Sequence, residues 1–178
     1  VYLEEAAELA DEAARRFARD GVYFLSSAEH ASPLGRSCDL WDQATPSPNA
    51  AMAAAHARLF ACLDDPAHLV RGQRVVQAAW PVMLQQVSGT AGLWCALDSL
   101  DGGTAAVSIL ASQLGAVREA IGQLLRLPHP ALEVRWQPDP GDPRFVLCLG
   151  TACQPPERDL EKVLAALQPK LAIDRGEG

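Results

Sequence analysis

The sequence predicts an α+β chain, mainly α-helical hairpins followed by a small β-α-β-β-α module, on three observations. Apolar residues recur at three- and four-residue steps through most of the region before Gly103. Helix-start signals recur there as well, a Ser or Asp followed at once by Pro. After Gly103 the pattern changes to an unbroken apolar run and then to strict alternation, the marks of buried and half-buried strands. The boundary falls at 103/104, giving a helical region 1–103 and an α/β module 104–178.

The first helix is predicted over residues 1–20, with Leu3, Ala7, Ala10, Ala14 and Phe17 on one face. Its acidic residues come first and Arg15, Arg16 and Arg19 last, as the helix dipole favours, and Gly21 is expected to stop it. Residues 22–47 read as a long loop, and long ordered loops are often functional. Ser47 as N-cap and Pro48 begin a second helix carrying Met52, His56, Leu59 and Leu63. Asp64 or Asp65 with Pro66 begins a third, through Leu69, Val76, Trp80 and Met83, with Pro81 expected to strain its last turns. Another helix is predicted from Ser88 to the stop at Gly102 and Gly103. Alanine-rich helices joined by short turns predict close antiparallel packing. In the module, Ala105 to Ala111 reads as a buried strand and Leu114, Val117, Ile121 and Leu125 as a helix. Leu132, Val134 and Trp136 mark a half-buried strand, residues 144–149 another, and Leu160, Val163, Leu164, Leu167 and Leu171 a closing helix.

The chain has 178 residues, 49% of them hydrophobic and 21% charged, a composition that predicts a folded core and excludes intrinsic disorder. A net charge of −7, with arginine present but in no run, argues against a nucleic-acid partner. No stretch is long and apolar enough to cross a bilayer, and the acidic start lacks the pattern of a signal peptide. Opening directly in helical pattern suggests that further sequence lies upstream. Five cysteines, an odd and modest count, are expected to be reduced thiols in a cytoplasmic protein.

Glu29, His30, Asp39 and Asp42 fall near Trp41 in the long loop. Carboxylates for proton transfer beside an indole for stacking are what a carbohydrate ligand would need, although the same residues also read as solvated loop acids. His56 reads either as a proton-shuttling base or as a packed histidine. Cys148 and Cys153 enclose a segment that can reverse the chain, bringing them within disulfide or metal-ligand reach. Without a second Cys/His pair a zinc site is not expected. A small loop gains little from closure, and no basic cluster lowers the thiol pKa, so the pair is expected to be close, packed and reduced. Cys38, Cys62 and Cys95 are expected to be packing residues. Gly102-Gly103 precedes a strand instead of following one, so no dinucleotide loop is read and no cofactor is expected.

The segment Trp41-Asp42-Gln43-Ala44-Thr45-Pro46-Ser47-Pro48-Asn49-Ala50 resembles the Tyr-Asp-Gly-Ala-x-Pro-Ser-x-Asn-Ser motif of the spermatogenesis-associated protein 20 / YyaL type of thioredoxin-domain proteins. Gly21-Val22-Tyr23-Phe24 resembles the Gly-Gly-Phe-Phe element that precedes that motif. The segment from Cys148 to Pro156 resembles the family's Val-Cys-x4-Cys-x-x-Pro ending. The resemblance implies an incomplete (α/α)6 toroid, similar to N-acylglucosamine 2-epimerases and six-hairpin glycosidases, which in the family follows a thioredoxin-like domain. It places Asp42 as the catalytic carboxylate and Trp41, Arg36, Ser47 and Asn49 as substrate-binding residues; Cys148 and Cys153, from their spacing, read either as a redox pair or as two unlinked thiols. The family's activity is itself undefined, so the implied function is a carbohydrate-related toroid. The alternative is a non-catalytic scaffold or interaction module, or a thiol pair serving a thioredoxin-like partner. Here Cys38 stands where the family often has Lys, Gln43 replaces Gly and Ala50 replaces Ser, departures that favour the scaffold. An incomplete set of hairpins leaves apolar faces uncovered, so self-association is expected as well.

Overall fold

The structure is a computed structural model that describes residues 2–30, 33, 35–129 and 131–167. It divides into two units, Val1–Thr104 and Ala105–Gly178.

In the first unit, helix α1 (Tyr2–Phe17) carries Glu4 and Glu5 in its first turn and Arg15 and Arg16 in its last. Gly21 does not end it. The chain leaves the helix after Phe17 and forms a small hairpin, strand β1 (Ala18–Arg19) against β2 (Val22–Tyr23). Asp20 and Gly21 both have positive φ, 53° and 86°, which a two-residue type I′ turn requires and an Asp-Gly pair supplies. A side chain at position 21 is excluded twice, by that φ and because a Cβ would lie 2.8 Å from the Arg74 carbonyl oxygen of helix α3.

Helices α2 (Pro48–Leu63) and α3 (Pro66–Gln85) form a hairpin whose ends are fixed by local chemistry. Ser47 Oγ accepts from the Ala50 N–H, and Asp65 Oδ1 accepts from the Ala67 N–H. The two adjacent aspartates divide the work: Asp64, at φ 56°, terminates α2, and Asp65 caps α3. Pro81 lies inside α3, which continues to Gln85. A 3-10 turn over Ser88–Thr90 leads into α4 (Ala91–Asp98), and a wide turn over Ser99–Gly103 ends the unit. The core is built from Ala50, Ala53, Ala57, Ala79 and Ala96 around Val75, Val76, Met83, Leu93 and Leu100. Small side chains at the contacts let the helices approach closely.

The second unit contains β3 (Ala105–Ala111), a 3-10 turn leading into α5 (Arg118–Leu124), β4 (Leu132–Pro138), β5 (Arg144–Leu149), β6 (Ala152–Cys153) and α6 (Leu160–Leu167). The sheet order is β4-β3-β5-β6. β4 pairs parallel to β3, with Ala105 opposite Leu132, while β5 pairs antiparallel to β3, with Ala105 opposite Leu149. Alternation selects one face: Ala105, Val107, Ile109, Phe145 and Leu147 pack with Val117, Leu124, Val163 and Leu167. The short strand β6 was not anticipated, and Leu171 of the expected closing helix lies outside the described residues. The mixed α+β class is as the sequence predicted. Among the described residues no helix is long and apolar enough to cross a membrane.

Candidate functional site

The loop between β2 and α2 carries most of the residues singled out from the sequence, and its polar side chains are turned onto main-chain groups. Asp42 Oδ1 accepts from the Ser47 N–H at 2.8 Å and Oδ2 from the Gly92 N–H at 2.6 Å. One carboxylate thus ties the start of α2 to the first turn of α4, where the helix dipole favours negative charge. The approach depends on Gly92, because a Cβ there would stand 2.9 Å from Ala50 Cβ and 3.1 Å from Asp42 Oδ1. The Asp42 N–H also donates to the Gly89 carbonyl at 2.8 Å, and the Trp41 indole lies over Gly89. Asn49, with no exposed surface, clamps β2 in both directions: Oδ1 accepts from the Tyr23 N–H, and Nδ2 donates to the carbonyls of Tyr23 and Asp39. Arg36 closes the other end of the segment. It donates to the Phe17 carbonyl at 2.9 Å and the Ser26 carbonyl at 3.0 Å, and its guanidinium lies 4.4 Å from the centroid of the Phe24 ring. It therefore caps the C-terminus of α1, where orphan carbonyls and the dipole both favour a cation.

Each of the loop's acid/base residues engages its own partner or faces solvent. Asp39 accepts from the Trp41 N–H, Glu29 lies 3.7 Å from Arg16, His30 is exposed, and Asp42 is held as described. For Asp39 this is local turn chemistry, in which a short acid bonds a neighbouring N–H group.

Deeper in the same unit lies a polar chain that the sequence only partly revealed. The Tyr23 hydroxyl is 2.7 Å from His56 Nε2, and His56 Nδ1 is 3.1 Å from His68 Nδ1. All three residues are buried, and the two imidazoles stack with centroids 5.3 Å apart. In one neutral arrangement Tyr23 donates to His56, and His56 donates onward to His68; the ring-proton assignment follows from the hydrogen bonds. Burial pushes the His56 pKa down to about 4, assisted by His68 and Arg71 and opposed by Asp11. Burial pushes the Tyr23 phenol up, with Arg71 opposing. Both groups are therefore neutral near pH 7, and both ring nitrogens of His56 lie within hydrogen-bond distance of buried partners. His56 was visible as a histidine on an apolar helix face. Tyr23 and His68 were not, because their roles depend on which elements meet.

In the second unit, Cys148 and Cys153 are joined in a disulfide, with Cα atoms 3.9 Å apart. The proximity was anticipated; the bond was not, since reduced thiols were expected. The reason is register. Gly150 (φ 57°) and Thr151 form a two-residue turn, so Cys148 on β5 stands directly opposite Cys153 on β6. The Gln154 N–H donates to the Leu147 carbonyl, so the neighbouring cysteine pair is the non-hydrogen-bonded kind, in which opposed residues come closest. Cys38 and Cys95 are exposed and Cys62 is half-buried, so the first two do not fill the packing role expected of them. Among the described residues no group of three or more His, Cys, Asp or Glu side chains is arranged to hold a metal ion.

No family model matches the chain, and no curated protein matches it significantly.

Proposed function

We propose that the first unit is a set of helical hairpins of the toroid kind implied by the YyaL-type resemblance, and that it works as a non-catalytic scaffold whose open face receives a further amphipathic helix. The observation that carries this reading is the use of the motif. Arg36, Asp42, Ser47 and Asn49 all hydrogen-bond main-chain groups of α1, β2, α2 and α4, so the residues that look like a reactive set serve as braces. A carboxylate with an N–H on each oxygen and an asparagine with three main-chain bonds are poorly placed to change partners during a reaction.

The open face lies between α1 and α2, a groove of about 560 Å³ lined by Leu3, Leu9, Met52 and Leu59 over a floor that includes Ala6, Ala51 and Ala55. An alanine floor between leucine ridges suits a helix, whose ridges seat at short interaxial distance. Leu9, 71% exposed, and Leu3 give this groove an apolar rim that a partner helix would cover. The test measures dye binding and light scattering on the chain and on Leu9→Glu. The native chain is expected to bind a hydrophobic dye or to self-associate, and L9E to do neither at an unchanged melting temperature. A monodisperse native monomer that binds no dye would overturn the reading.

A second reading, carbohydrate binding, is favoured by Trp41, a loop residue that is 38% exposed. Trp41→Ala should then abolish any quenching of tryptophan fluorescence by free hexoses; absence of quenching in the native chain removes this reading.

A further inference from the structure

We propose that Arg19, Arg71 and Arg74 form a binding pocket for a small organic oxyanion, a phosphate monoester or a dicarboxylate. The three residues line a pocket of about 280 Å³ whose floor is Ala14, Ala18, Tyr23 and Val75 and whose wall is the Asp20-Gly21 turn. Four features assign it.

The first is charge. Asp20 lies 3.4 Å from Arg19, and Asp11 is ion-paired with Arg71 through one guanidinium nitrogen. Three cations against two anions leave a local positive excess in a chain whose net charge is −7. The second is unused donor capacity. Each guanidinium has five N–H groups in a planar fork; Asp11 engages one nitrogen of Arg71, and Arg74 is exposed with no acidic partner among the described residues. The third is rigidity. Asp20 and Gly21 hold left-handed backbone, and the turn sits so close to α3 that a Cβ at Gly21 would lie 2.8 Å from the Arg74 carbonyl oxygen, which keeps the wall carrying Arg19 against the helix carrying Arg71 and Arg74. The fourth is the apolar floor, which keeps water from one side of the ligand and strengthens charge-assisted bonds to its oxygens. The pocket lies apart from the Asp42 brace and from the α1/α2 groove, so it stands or falls independently of the scaffold reading.

Isothermal titration at low ionic strength with inorganic phosphate, glycerol phosphate and succinate, together with the amide shift of Gly21 by NMR, tests the proposal. Saturable binding is expected, weakened at least tenfold by Arg74→Gln and less by Arg19→Gln, and falling with added salt. Both variants alter exposed side chains, so their melting temperatures should match the native chain. Stronger binding of glycerol phosphate than of succinate assigns the pocket to phosphate esters, and the reverse order to dicarboxylates. No heat and no Gly21 shift up to about 10 mM of any probe, or equal affinity in R74Q and R19Q, overturns it.

Discussion

The two units hold their elements together by different means. In the helical unit nearly half of the buried core side chains are alanines, which bury little area each, and polar side chains help fix where the elements go: Asn49, Asp42 and Arg36 each join segments distant in sequence. In the sheet unit larger aliphatic and aromatic residues, Val107, Ile109, Phe145 and Leu147, alternate into one layer, and the edge strand is fastened by a covalent bond. Small-residue packing permits close approach but specifies alignment weakly, so the first unit needs directional bonds where the second relies on strand register.

This contrast predicts that polar substitutions in the first unit should cost as much as core truncations usually do. The largest effect is expected at Asn49. Asn49→Ala leaves a buried N–H and two carbonyls without their partner and opens a small void, a loss of about 4 kcal/mol. Urea denaturation measures it; a loss under about 1 kcal/mol would show that β2 is held by its apolar contacts alone. Asp42→Ala should follow at about 3 kcal/mol, since two charge-assisted bonds disappear together. Asp42→Asn retains an acceptor for one N–H only and should fall between the native chain and D42A. Equal stability of D42A and the native protein would mean that α4 is not positioned by this carboxylate.

The buried histidine gives the same contrast a pH signature. With the folded pKa near 4 against an ordinary 6.5, the unfolded chain binds a proton that the folded chain refuses. Stability from this group is complete above pH 6.5, falls as the pH drops from 6.5 towards 4, and falls no further below that. The full shift corresponds to about 3 kcal/mol. Urea midpoints of the native chain and His56→Gln between pH 7.5 and 4 should diverge in slope over that window; parallel curves would remove His56 as the cause.

The sequence displayed what is local and concealed what is not. Ser47-Pro48 and Asp65-Pro66 announce their helices because a cap and its N–H partner lie within three residues. The strands of the second unit were readable from the apolar run at 105–111 and the alternation at 132–136, since the face a strand residue takes follows from its parity. Gly21 was read as a helix stop and is a hairpin turn instead, because a glycine after a helical pattern fits either and only pairing between Ala18 and Tyr23 decides. Of the candidate site, Asp42 and Asn49 stand close to the Ser47-Pro48 start signal in the sequence, so their nearness to the α2 cap is local. The partners that define their work, Gly92 fifty positions away and Tyr23 twenty-six, come from tertiary packing. The same holds for Tyr23, His56 and His68, which stand on three elements.

The smallest effect expected here concerns the covalent bond of the second unit. Its loop is short, with a sequence separation of 5 between Cys148 and Cys153, so closing it restricts the unfolded chain little; the chain-entropy relation gives about 2 kcal/mol. β6 has two residues and pairs only with β5, so without the bond it has few contacts to hold it. Cys153 is exposed while Cys148 is buried, so an external dithiol reaches Cys153 Sγ first. Its thiolate displaces Cys148 as thiolate, and its second sulfur then resolves the mixed disulfide, leaving two protein thiols and one oxidised reagent. Reduction, or Cys153→Ser, should speed amide exchange at Ala152 through Gln154 and lower the stability of the sheet unit by about 2 kcal/mol. The helical unit, which contains neither cysteine, should keep its exchange rates. Equal loss of protection in both units would show that they unfold together, and the contrast between a unit fixed by polar braces and one fixed by register would then describe local structure without separate stability.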